Sequence, residues 1–157
     1  MGDELTHIDG EGRASMVNVG DKPVTRRVAR ASALVRMAAG TAEAIKGSRL
    51  GKGEALAAAR LAGILAAKRV DELIPLAHTL PVDHVSVDFE FIDEGLVARA
   101  EASATARTGV ELEAMLAAAM AAMTIYDMAK AIDRGMLIER VQLEYKAGGR
   151  SGTWERE

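Results

Sequence analysis

Between residues 98 and 106 every second residue is alanine: Ala98, Ala100, Ala102, Ala104 and Ala106 alternate with Arg99, Glu101, Ser103 and Thr105. Alanine favours helix intrinsically, but a strict period of two puts all five methyls on one face only in a strand. That face is almost flat, so whatever covers it must approach closely. The rest of the chain is built in the same way. Of 157 residues, 30 are alanine, and although 49% are hydrophobic only 3% are aromatic. Small side chains bury little area each, which leads us to expect thin faces whose burial is completed when protomers associate.

Other segments take their place around this strand. Val85, Val87, Phe89 and Phe91 alternate with Ser86, Asp88 and Glu90, and Asp93-Glu94-Gly95 supplies the hairpin turn into the alanine strand. A looser alternation from Arg26 to Met37 sets Ala29, Ala31, Ala33 and Val35 against Arg30, Ser32 and Arg36, and Leu137 to Lys146 alternates through Val141, Leu143 and Tyr145. Helices are predicted over Thr41–Ile45 with Thr41 as N-cap, over Glu54–Arg69, and over Glu111–Arg134 with Gly135 as C-cap. Ala59, Gly63 and Ala66 form a small-residue stripe suited to close backbone approach. Pro75 and Pro81 keep the segment Asp71–Pro81 from being one long helix.

Merging the two early helices into one crossover gives βαββαβ. The expectation is an α+β, ferredoxin-like single domain over residues 1–157, an antiparallel four-stranded sheet with helices packed on one face. Residues 1–13 and 148–157, rich in glycine and polar residues, read as flexible ends.

Several function classes are disfavoured. Without cysteine there are no disulfides, thiolate metal sites or cysteine nucleophiles. A formal charge of -3 and five aromatic residues do not suit a nucleic-acid binder. No apolar run reaches the roughly 20 residues of a membrane span and no signal-peptide pattern opens the chain, so a cytoplasmic location is expected. His7, His78 and His84 form no i,i+4 pair, and no metal site is expected.

Candidate chemical groups each admit an ordinary reading as well. Thr108-Gly109-Val110-Glu111 matches a capping box, which would occupy Glu111 structurally. Glu113, one turn into an apolar helix, either complements the helix dipole or serves a site. Asp127 and Lys130 are three apart: a surface ion pair, or a partly buried lysine tuned by its carboxylate for proton transfer. Glu113 and Asp127 point the same way but stand about 21 Å apart along the helix. If both are catalytic, the site is shared between neighbouring chains. Lys52 between two glycines, and Lys146-Ala147-Gly148-Gly149-Arg150-Ser151-Gly152, suit anion-binding loops or solvated ones. His78, between two prolines, sits on a stiff turn.

Taken together, Leu5-Thr6-His7-Ile8, Ala14-Ser15-Met16-Val17-Asn18-Val19, Lys52-Gly53-Glu54, Ala66-Ala67-Lys68-Arg69, Leu73-Ile74-Pro75-Leu76-Ala77-His78, Thr108-Gly109-Val110-Glu111-Leu112-Glu113-Ala114 and Thr124-Ile125-Tyr126-Asp127-Met128-Ala129-Lys130-Ala131 resemble one family. It is that of the cyclic pyranopterin monophosphate synthases, the molybdenum cofactor biosynthesis protein C family, and the likeness spans about residues 5 to 152. The resemblance implies a lyase acting after a radical enzyme has cyclised GTP, converting 3′,8-cyclised dihydro-GTP to cyclic pyranopterin monophosphate and pyrophosphate. It implies a homohexamer, a trimer of dimers, with the active site at the dimer interface. It assigns Lys130, oriented by Asp127, and Lys52 to acid–base chemistry, and His78, Glu111 and Glu113 to the base moiety. Phosphates fall to Lys146, to one of Arg26 and Arg27, with Arg27 favoured, and to Arg150. No cofactor is implied beyond Mg²⁺ accompanying the triphosphate. Lys52, Lys130 and Lys146 are half of the six lysines, against 14 arginines, which fits a job that needs a releasable proton. Departures from the family pattern are Ala77, Thr79, Ala129 and Ala147, none of which removes an ionisable group assigned to the chemistry.

Overall fold

The structure is a computed structural model and describes residues 8–157; His7 and the first residues of the N-terminal arm lie outside the described residues. In chain order the elements are β1 (Thr25–Arg36), α1 (Ala39–Lys46), α2 (Ala55–Ala67), α3 (Val70–Leu73), β2 (His84–Ile92), β3 (Gly95–Ala106), α4 (Glu111–Ala129), β4 (Leu137–Ala147) and β5 (Trp154–Glu155). One sheet takes the order β2-β3-β1-β4-β5, and its neighbouring strands are all antiparallel. The sheet therefore has five strands where the sequence pattern predicts four. The additional strand is two residues long and comes from the tail, too short to leave a periodic signature.

The alanine alternation behaves as a strand, and its register explains the core. Ala102, Ala100 and Ala98 of β3 lie opposite Ala29, Ala31 and Ala33 of β1, which sets two rows of methyls side by side. Above them α4 buries Ala114, Ala117, Ala118, Ala121, Ala122, Ile125 and Ala129 completely. By length and composition α4 could cross a bilayer. Here it is the central helix of a packed core, with the sheet beneath it and α2 beside it.

The packing of α2 on α4 uses the small-residue stripe. A Cβ built on Gly63 would stand 2.8 Å from the Ala117 carbonyl oxygen and 2.9 Å from a Val87 methyl. Hydrogen therefore fits at residue 63 where a methyl does not. Ala59 and Ala66 on the same stripe are buried as well.

Helix ends depart from expectation at three places. α1 starts at Ala39 behind Ala38, with no side-chain cap. Thr41 is instead buried, and its hydroxyl donates to Asp133 at 3.0 Å. Asp133 also accepts from the Ala38 and Gly135 N–H groups, and this three-way anchor fixes a turn, so α4 stops at Ala129 short of Arg134. The capping box at Thr108 is absent: Val110 is the N-cap and no side chain bonds the helix end. Capping is used at α2, where the Glu54 carboxylate accepts the Leu56 and Ala57 N–H groups.

Gly63→Ala is expected to destabilise the protein by about 1–3 kcal/mol, because overpacking outweighs the better helix propensity of alanine. Denaturant midpoints measure this, and an unchanged or higher midpoint would mean that α2 can move off α4 without loss.

Candidate active site

Two cavities open at the end of the sheet where α4 begins, and they share Lys22, Thr108, Gly109 and Glu111. The larger, about 530 Å³, is lined by Lys22, Arg27, Arg107, Lys146 and Arg150 as cations, with Glu111 as the lone carboxylate. In a chain of net charge -3 this concentration of positive charge is local. Glycines let the cations crowd together. A Cβ on Gly149 would fall 1.8 Å from the Arg27 guanidinium, and one on Gly148 would fall 2.2 Å from the Arg26 carbonyl oxygen. Both glycines also hold positive φ, 102° at Gly148 and 75° at Gly149. Arg27 is steadied by the Ala106 and Arg107 carbonyls, to which it donates at 3.4 and 3.3 Å. Of the arginine pair, Arg27 lines the cavity and Arg26 does not. The Thr25 hydroxyl, at the cavity wall, is buried without a hydrogen-bond partner among the described residues.

The smaller cavity, about 290 Å³, is lined by Val17, Val19, Ala77, His78, Glu111 and Glu113 among others. His78 Nε2 donates to the Val17 carbonyl oxygen at 2.7 Å, so Nδ1 is the ring nitrogen left free of that bond. This bond ties the Met16–Val19 segment over the cavity. Beside it, the Thr79 hydroxyl donates to Asp71 at 2.5 Å, a local use for one of the departures noted above. Glu113 is 4% exposed and no cation lies within ion-pair distance of it among the described residues. Burial pushes its carboxyl up to about 7, the charges of Glu111 and Asp71 act in the same direction, and its own backbone N–H opposes them. Glu113 thus titrates near neutrality and can give or take a proton there.

The third group lies at the far end of α4. Asp127 Oδ1 pairs with Lys130 Nζ at 2.7 Å, and Asp127 Oδ2 pairs with Lys52 Nζ at 2.9 Å. Lys52 also donates to the Asp127 backbone carbonyl at 2.8 Å, so the Gly51–Gly53 loop is docked on the helix end. Hydrogen bonds from Lys130 and then Lys52 hold Asp127 down at about 2. The same bond to Asp127 raises Lys130. Lys130 is half exposed in the protomer, so of the two readings of this pair the protomer shows the surface ion pair and not a partly buried lysine.

Arg27, Glu111, Lys146 and Arg150 therefore converge on one cavity, and His78, Glu111 and Glu113 on the next. Lys52, Asp127 and Lys130 form a separate trio, about 21 Å of helix away from Glu113. Lys22, Thr25 and Arg107 are cavity residues that sequence reasoning missed. Lys22 stands just before Pro23 and Arg107 just beyond the alanine strand, and neither belongs to a motif that singles it out. The crowding of cations becomes visible only when the ends of β1, β3 and β4 are brought together.

A family model described as the MoaC family matches residues 16–149. The chain belongs to the MoaC family. Similar MoaC-family proteins include the cyclic pyranopterin monophosphate synthase of Novosphingobium aromaticivorans, 53% identical over 152 residues, covering 97% of each chain. Those of Thermomicrobium roseum and Bordetella avium are 53% and 52% identical, covering 98% and 96% of this chain and 94% of each relative. The matched span includes all three residue groups described above, apart from Arg150 just beyond its end.

The folded-state carboxyl of Glu113 sits above its ordinary value, so the stability it permits is fully present below about pH 4.5 and declines as pH rises through 7. Glu113→Gln is therefore expected to gain on the wild type across that window, reaching about 3 kcal/mol above pH 7. Urea midpoints of both proteins at pH 4 and pH 8 check it; parallel pH profiles would contradict the assignment.

Proposed function

We propose that this chain catalyses the cyclic pyranopterin monophosphate synthase reaction of molybdenum cofactor biosynthesis. The substrate is (8S)-3′,8-cyclo-7,8-dihydroguanosine 5′-triphosphate, and the products are cyclic pyranopterin monophosphate and pyrophosphate. The observation that carries this reading is the near-full-length identity of about half with proteins of that name. The chain acts as a lyase. Its sheet order, with β1 between β3 and β4 and β2 at the edge, supports reading the four long strands as a ferredoxin-like domain, with β5 added outside β4.

The chemistry asks for three things, and the chain has a group of residues suited to each. A triphosphate needs its charge neutralised, more so as pyrophosphate departs, and Arg27, Lys146 and Arg150, with Lys22 and Arg107, line a cavity of suitable sign. A purine-derived base offers N–H donors and ring acceptors, for which Glu111, Glu113 and the free nitrogen of His78 are complementary. Ring opening and closure require protons to be delivered and removed, and Asp127 presents two lysines held in fixed geometry. Closing the cyclic phosphate forms one P–O bond at the α-phosphorus and breaks the bond to the β-phosphate oxygen. The hydroxyl proton passes to a base, and the leaving pyrophosphate is received by the cations.

The separation of the trio from the two cavities supports a site completed by a partner protomer. We read the assembly as a homohexamer, a trimer of dimers, with Lys52, Asp127 and Lys130 of one chain facing the cavities of the other. Mg²⁺ enters this reading as a companion of the triphosphate; no group of three or more metal-ligating side chains stands together among the described residues. The upstream partner is the radical enzyme that supplies the cyclised nucleotide, and the reaction is read as cytoplasmic.

Incubation with the cyclised triphosphate is expected to release pyrophosphate, and Lys130→Ala and Lys52→Ala are each expected to lower kcat by at least about 100-fold. No release by the wild type would overturn the enzymatic reading. Lys130→Ala mixed one-to-one with Lys146→Ala after dissociation and reassembly is expected to recover about a quarter of wild-type activity, since one site of each hybrid dimer is intact. Inactive hybrids would place every catalytic group within one chain.

A further inference from the structure

The loop after β4 begins just beyond Lys146, carries Arg150 and Ser151 at its tip, and is a costly loop to order. Gly148, Gly149 and Gly152 all hold positive φ, 102°, 75° and 64°, conformations for which glycine surrenders more freedom than any other residue. β4 holds only the incoming end. The outgoing end is held by the last residues of the chain. Glu155 pairs with Tyr145 and Trp154 with Lys146. Beyond them the Arg156 N–H donates to the Glu144 carbonyl at 2.9 Å, and its guanidinium donates to the Leu143 carbonyl at 2.7 Å. The same guanidinium lies 5.4 Å from the centre of the Trp154 ring and 3.7 Å from Glu144. Inside the loop the Gly152 N–H donates to the Gly149 carbonyl, and Lys146 is hydrogen-bonded to Ser151.

We propose that Trp154–Arg156 is a latch that closes the Lys146–Gly152 loop into a preformed cradle for pyrophosphate or a polyphosphate chain, with Arg156 as a positioning residue. The proposal rests on the phosphate reading of the larger cavity. Arg156 does not line that cavity; it acts through the loop. By fixing both ends, the latch orders Lys146, Arg150 and Ser151 against Arg27 before ligand arrives, so binding does not bear the full ordering cost. A hydrogen bond to a main-chain carbonyl is suited to this task, because it survives changes in neighbouring side chains. Pairing by β5 alone spans two residues, and Arg156 extends the hold by one more.

The test uses the full chain and inorganic pyrophosphate as the probe, with calorimetric titration of the wild type, Lys146→Ala, Arg156→Ala and the charge-neutral change Trp154→Ala. Arg156→Ala and Trp154→Ala are each expected to weaken pyrophosphate binding about tenfold while the thermal midpoint holds. Amide exchange across residues 149–152 should accelerate in both. With the nucleotide substrate, KM should rise and kcat should stay within about twofold. A defect in Arg156→Ala that Trp154→Ala does not share would assign the loss to charge alone and overturn the latch, as would wild-type affinity in both. Pyrophosphate binding that Lys146→Ala leaves untouched would instead overturn the phosphate reading of the cavity, and the latch with it. Should Arg156→Ala fail to fold, Trp154→Ala and the exchange measurement carry the decision.

Discussion

Everything in this structure depends on how closely α4 can approach the sheet. The paired alanine rows of β1 and β3 leave a surface with no projections, and α4 answers with alanines of its own. Such contacts bury little area per residue but many atoms at van der Waals distance, so the attraction is collective and sensitive to separation. Gly63 against the Ala117 carbonyl continues the same rule into the helix layer. A methyl added at Gly63 meets the Ala117 carbonyl and a Val87 methyl, neither of which is the end of a long, adaptable side chain.

That close packing holds α4 as a fixed support with ionisable groups at both ends. Glu111 and Glu113 enter from its first turn and Asp127 and Lys130 from its last. The strands set the remaining groups. Arg27 near the start of β1, Arg107 after β3 and Lys146 near the end of β4 meet at one end of the sheet because β1 runs antiparallel to both of its neighbours, β3 and β4. Cations so close to one another repel, and that mutual repulsion is the counterpart of the cavity's attraction for a multiply charged anion. The trio at the other end has the opposite character. Asp127 already satisfies both its lysines, and exposed pairs of this kind add little stability. Their value lies in orientation.

Much of the fold was legible in the sequence because period-two patterns are unambiguous when they run for ten residues. The alternation from Ala98 and that from Val85 both became strands, with the expected turn between them. What failed was local chemistry decided by distant partners. Thr41 looked like a cap and is bound by Asp133, and the Thr108–Glu111 spacing fits a capping box that the chain does not form. Neither outcome can be read within a window of a few residues. The site divides in the same way. Arg27, His78, Glu111, Glu113 and Lys146 were visible through the motifs that carry them. Lys22 and Arg107 were not, since each is an ordinary surface residue until the strand ends gather.

The length of α4 sets a phase as well as a distance. Fourteen residues separate Glu113 from Asp127, close to four full turns, so the two groups leave the helix on the same side. One inserted residue between them would rotate one group by about 100° relative to the other, while a four-residue insertion would nearly restore the direction and lengthen the span by about 6 Å. Substitution can therefore wander across the outer face of this helix, but its residue count is held by the geometry it measures out.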